Sequence, residues 1–211
     1  MDEPDTGTTP YTPRSFWHTA LLCCGLAGAI LFSVVYFCFG LISPDYFILS
    51  QSIGDLQLQP HGWIQSANFV MAGMFLLAFA AGLRQELVND FGAVLIPLFH
   101  VLTGFGLIIF GLTLRGAMHI YAGLGGFLCV LISLLLMAGR FASDVRWRGW
   151  VNYTIITTVL MMILSTIFCY SLINKVPYSG IWERLTVLVR IIWMGFFTLR
   201  LLNGRRLSPV S

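Results

Sequence analysis

The residues able to do chemistry in this chain are few, and most of them fall where hydrocarbon would surround them. Arg190, His119, Asn68, Gln65, Glu183, Arg184 and Asp55 are the polar groups that gather toward one side of the apolar runs. Glu183 and Arg190 are seven residues apart, nearly two helical turns, so with Thr186 they share one helix face. An arginine in hydrocarbon costs at least a few kcal/mol and must face protein, water or a partner. Two chemistries suit it. One is a structural ion pair with Glu183 or Asp55, helped by the side chain reaching toward the surface. The other is an electropositive pocket in which the guanidinium fork grips a lipid phosphate or a carboxylate. Counted from the outer ends of their helices, Arg190, His119 and Asn68 lie about 10, 5 and 8 Å down. One outer-leaflet cavity is therefore expected to hold all three, with Glu183 or Asp55 partnering Arg190.

A metal is a poor reading of the same residues. His100 and His119 enter the membrane from opposite sides and are expected about 14 Å apart along its normal. One iron or zinc would need both ring nitrogens about 2 Å away. No Cys-x-x-Cys, His-x-x-x-His or Glu-x-x-His spacing occurs, and no metal, haem or other cofactor is expected. Cys23, Cys24, Cys38, Cys129 and Cys169 are odd in number and lie within the apolar runs. They read as small buried hydrophobes, not as a disulfide framework.

The elements that hold these residues follow from composition. Of 211 residues 57% are hydrophobic and 10% charged, with a mean hydropathy of +0.83. A soluble domain has about 25% charged residues, so soluble enzymes, nucleic-acid-binding domains and disordered chains are excluded. Runs of roughly 20 apolar residues can cross about 30 Å of hydrocarbon as helices. Six such runs appear, at 17–42, 63–83, 92–114, 117–139, 151–173 and 181–202. The expected fold is all-α, a six-transmembrane-helix bundle, with Pro97 kinking the third helix. Residues 1–15 read as a disordered tail, 16–203 as the transmembrane domain and 204–211 as a short basic tail. No repeat relates the two halves, which disfavours an inverted-repeat transporter.

With the N-terminus inside, Arg14, Arg84, Arg140, Arg146, Arg148, Arg200, Arg205 and Arg206 are cytoplasmic, against Arg115, Lys175 and Arg184 outside. This eight-to-three bias puts both termini in the cytoplasm. The longest outer segment, 43–62, has no Lys or Arg. Its Ile48, Leu49, Ile53, Leu56 and Leu58 suggest an ordered cap over the bundle mouth, since a free linker would not need them. Cys24 with Gly28, Ala78 with Gly82, and Ala122 with Gly126 have the spacing that lets helices approach closely. Arg140, Arg146 and Arg148 beside Trp147 and Trp150 read as an interfacial anchor.

The order of these features resembles the prokaryotic domain-of-unknown-function family 998, small six-helix membrane proteins. The residues carrying the resemblance are Ser-Gln-Ser-Ile-Gly from Ser50 to Gly54 and Gly62-Trp-Ile-Gln-Ser-Ala-Asn68, with a Gly-rich third helix. Gly116-Ala-Met-His119 opens the fourth helix and Glu183-Arg184 the last. The turn between helices 3 and 4 is shorter here than the family's, which carries an acidic residue. The resemblance implies the topology, highlights Ser52, Gly54, Asn68, His119 and Arg184, and implies no activity.

Three functions compete. The first is binding or moving a lipid or other amphiphile through a polar pocket in the outer leaflet. The second is an accessory subunit of a larger membrane complex. The third is an intramembrane enzyme with His119 as general base and Asp55 orienting it, for which the chain offers no nucleophile motif. Membrane lipids and other membrane proteins are the expected partners and nucleic acid is not. The expected location is the inner membrane of a prokaryote.

Overall fold

In hydrocarbon the backbone must bond itself, and the apolar runs obey by becoming helices. The computed structural model describes residues 15–87 and 91–203. It contains α1 (Phe16–Ile42), α2 (Trp63–Glu86), α3 (Phe91–Leu112), α4 (Ala117–Ala142), α5 (Arg148–Ile173) and α6 (Ser179–Asn203). All six are long and apolar enough to cross a membrane. The expected 1–15 tail, apart from Ser15, and the expected 204–211 tail lie outside the described residues. Ser15 caps α1, its hydroxyl accepting from the His18 N–H at 3.2 Å. Pro97 lies inside α3, where it has no N–H to offer the Ala93 carbonyl.

Each helix packs on its neighbours in the chain, and α1 packs on α6, which closes a ring. Small residues set the spacing. A Cβ on Gly73 of α2 would stand 2.5 Å from the Gly104 carbonyl oxygen of α3. Gly28 meets Phe75, Gly82 meets Leu21 and Leu22, and Gly106 meets Ala122 and Gly126. The small-residue positions singled out in α1, α2 and α4 thus face neighbouring helices, as packing without a hydrophobic drive requires.

Large side chains from alternate helices fill the ring. Phe79 of α2 and Phe141 of α4 meet Phe197 of α6, with ring centroids 6.4 and 5.9 Å away, and Trp193 stacks on Phe197 at 4.9 Å. This core belongs to the end where α1 begins and α6 finishes. Its floor is Trp147, buried flat against Phe141 at 4.8 Å, with the Arg200 guanidinium 5.5 Å above its ring. Trp147 and Arg140 are therefore buried rather than interfacial, which corrects the anchor expected there. Arg146 is held by Asp144 at 2.6 Å, and that bond keeps the Asp144 carboxyl below its ordinary range.

Residues 43–62 fold over the opposite end, the capped end. Ile53 and Leu56 are buried, Leu56 with Phe39 and Tyr46, while Leu49 and Leu58 stay exposed. A 3-10 turn, Gly54–Leu58, gives the cap its one regular element.

Candidate functional site

The polar residues divide between two places. At the capped end they fasten the cap. The Ser179 hydroxyl donates to the Ser50 carbonyl at 2.7 Å, and the Ile181 N–H to the Leu49 carbonyl at 3.1 Å. Glu183 accepts from the Ile53 N–H at 2.6 Å. Arg184 donates to the Gln51 carbonyl at 2.9 Å, to the Gly180 carbonyl at 2.8 Å and to the Tyr46 hydroxyl. Tyr46 passes its own hydrogen to the Ser52 carbonyl at 2.8 Å. Burial, against the pull of Arg184, pushes the Tyr46 phenol up to about 12. Gly180 has no side chain because a Cβ there would strike the Gln51 carbonyl. On the other flank, the Gln57 amide donates to Ser66 and to the Phe110 and Gly111 carbonyls at 3.0, 3.4 and 3.1 Å.

The remaining nominated residues at this end are also committed to structure. Asp55 accepts from the Ser52 N–H and hydroxyl, both at 2.8 Å. Asn68 is buried and donates to the Phe32 carbonyl at 3.1 Å and to Gln65 at 3.3 Å. Gln65 is fully buried, and its amide nitrogen has no partner among the described residues. His119 meets the Thr113 carbonyl through Nδ1 at 2.7 Å and stacks on Phe110 at 3.7 Å, which secures the short α3–α4 turn. Among the described residues Asp55 and His119 share no hydrogen bond: the first bonds Ser52 and the second the Thr113 carbonyl.

The second place is the middle of the ring. Arg190 lines a cavity of about 10 Å³ with His100, Thr103, Ser133 and Trp193, walled by Val130, Leu134 and Met194. His100 Nδ1 lies 2.9 Å from both the Ile96 carbonyl and the Ser133 hydroxyl. The Trp193 indole N–H is taken by Thr154 at 3.1 Å. Arg190 itself is half-buried and makes no hydrogen bond or ion pair among the described residues.

The sequence expectation of one cavity shared by Arg190, His119 and Asn68 is thus corrected: the structure gives the three different neighbours. The reason is a helix start. Depth was counted as though α6 began near Glu183, but it begins at Ser179. Arg190 is eleven residues past that start, about 16 Å down the axis, against about 3 Å for His119 and 8 Å for Asn68. It sits near the middle of α6. Neither Glu183 nor Asp55 is its partner, because both hold the cap.

Two features escaped the sequence reading. His100, Ser133 and Thr103 were not nominated, although His100 is twelve residues from the end of α3, about 18 Å, and so level with Arg190. His18 was not counted among the membrane histidines. It is buried at the start of α1, 3.1 Å from the Gly82 carbonyl and 3.3 Å from the buried Glu86 carboxylate. Among the described residues no three His, Cys, Asp or Glu side chains are placed to hold a metal.

Residues 26–200 match the family described as protein of unknown function (DUF998). No curated protein and no solved structure matches the chain.

Proposed function

Because the chain belongs to family DUF998, whose name carries no activity, we propose its function from geometry: it binds the anionic head of a membrane amphiphile at Arg190. The observation that carries this reading is the guanidinium at the centre of a six-helix ring with no carboxylate beside it among the described residues. A bare charge at that depth costs a few kcal/mol or more. The capped-end carboxylates are spent on the cap, so the counter-charge comes from outside the chain. A phosphate or carboxylate head supplies it and suits the planar fork.

The packing supports a way in from the bilayer. Buried positions in α4 run from Val130 to Phe141, and none lies between Ala117 and Cys129. On its capped half α4 packs on α3 through Ala122, Gly123 and Gly126 but buries no side chain fully, leaving its other flank for an acyl chain. The protein would act in the cell membrane of a prokaryote, with both termini in the cytoplasm. Native mass spectrometry of gently solubilised protein tests the proposal. The wild type should retain about one acidic lipid per chain, and Arg190→Gln should lose it while keeping its thermal midpoint. Equal lipid in both, or none in the wild type, overturns it.

A further inference from the structure

The first limb of the cap runs along the seam where the ring of helices closes. On one side it folds back onto Gly40 of α1, where a Cβ would stand 3.2 Å from the Tyr46 ring and 3.5 Å from the Ile48 side chain. On the other side a Cβ on Gly180 of α6 would meet the Ile48 and Gln51 carbonyl oxygens at 2.9 and 2.3 Å. Residues 46–51 therefore lie between the last turn of α1 and the first turn of α6.

The limb is built for a poorly hydrated place. Residues 46–54 carry no charge. The N–H groups of Phe47, Ser50, Gln51, Ser52 and Ile53 all donate within the protein, at 2.6 to 2.9 Å. The carbonyls of Phe47, Leu49, Ser50, Gln51 and Ser52 all accept there. Even the Gln51 side chain turns back, to the Phe47 N–H. Irregular backbone is tolerated at membrane depth only where protein answers its polar groups. A loop in water could leave them to the solvent.

The outward side chains are apolar. Tyr46 is buried and Ile48 half-buried, whereas Phe47 and Leu49 are 70 and 51% exposed. They continue an apolar surface that α1 exposes at Val34, Phe37, Leu41 and Ile42. With 27 residues α1 is about 40 Å long, so its ends reach the headgroup region of a bilayer about 40–45 Å thick.

We infer that residues 46–49 are seated in the leaflet on the capped side, with Phe47 and Leu49 against lipid. The limb is then a clasp between α1 and α6, backed by the bilayer at the junction that closes the ring. It belongs to the membrane domain and is not a loop in water. Lipid is the occupant that continuity with the exposed face of α1 selects. A partner protein would have to seat on Phe47 and Leu49 with no charge between residues 46 and 54 to orient it. The inference is independent of Arg190.

Photolabelling of the wild-type full chain tests it. The probe is phosphatidylcholine carrying a diazirine on its acyl chain near the ester, in nanodiscs of phosphatidylcholine. Peptide mass spectrometry after illumination reads lipid adducts residue by residue. Phe37, 52% exposed and more than a turn inside the end of α1, sets the yield for a lipid-facing side chain. Phe47 and Leu49 should be labelled within about five-fold of Phe37, as side chains at the same lipid boundary would be. A larger deficit at both overturns the inference. Native mass spectrometry of the same sample then says what replaces it. A monomer means that the limb faces water, and a dimer that a second copy covers it. No variant has to fold.

Discussion

Removing the Glu183 carboxylate should free the cap from α6, and the size of the effect can be worked out. Glu183 joins α6 to Ile53 across 130 residues of chain by one 2.6 Å bond to a backbone N–H. A hydrogen bond to a charged group contributes about 1.5–3 kcal/mol. Glu183 is half-buried, which places it near the lower middle of that range. Taking about 2 kcal/mol, Glu183→Ala should raise the open population of the cap roughly 30-fold, since 1.4 kcal/mol is about ten-fold. Glu183→Gln keeps a neutral acceptor in place, loses about half as much, and should raise it about five-fold. Amide hydrogen exchange read on peptides spanning residues 48–58 measures this opening directly. Exchange as slow in Glu183→Ala as in the wild type would refute the reasoning, because the bond would then hold nothing that Ser179 and Arg184 do not hold without it.

Four further outcomes are expected. Gly73→Ala should lower stability by about 1–3 kcal/mol, because its Cβ meets a backbone oxygen of α3 that cannot step aside; the thermal midpoint in detergent checks this, and an unchanged midpoint would mean the helices are not in that contact. Tyr46 should stay protonated at pH 11 by ultraviolet titration. Its folded pKa is raised by burial, so the stability it lends is complete below the free phenol's pKa and fades as pH climbs through about 12. Asp144 runs the other way: Arg146 depresses its pKa, so its contribution is present above the free carboxyl's pKa and is lost as pH falls through the lower folded value. Asp144→Asn should therefore cost under about 1 kcal/mol near neutrality and nothing measurable in strong acid. Reporter fusions after Ser211 and within the cap should report cytoplasmic and external sides respectively, and a reversed pattern would invert the orientation.

The six helices were legible because a bilayer leaves a backbone little choice, and hydropathy alone marks where it must bond itself. Expected and observed helix starts and ends differ by at most three residues, as at Arg148, where α5 begins before the apolar run. The cap was legible from Ile53 and Leu56, which had no reason to be apolar unless covered. Arg190's surroundings were not. Its cavity is lined from α3, α4 and α6, a juxtaposition that depth counted along one helix does not report. Burial of Trp147 and Arg140 was equally hidden, because Trp and Arg near a helix end suit an interface just as well. The pairing of His100 with Ser133 depends on the rotation of α3 against α4, which no single-helix periodicity reports.

The central claim is that Arg190 takes its counter-charge from outside the chain. Magic-angle NMR tests it in bilayers whose one anion is the lipid phosphate, by dephasing arginine guanidinium nitrogen signals with phosphorus. Arg190 is identified by its absence in Arg190→Lys. The account predicts strong dephasing at Arg190, as for nitrogen and phosphorus about 4 Å apart in a hydrogen-bonded pair. An Arg190 signal untouched by phosphorus in folded protein would contradict it.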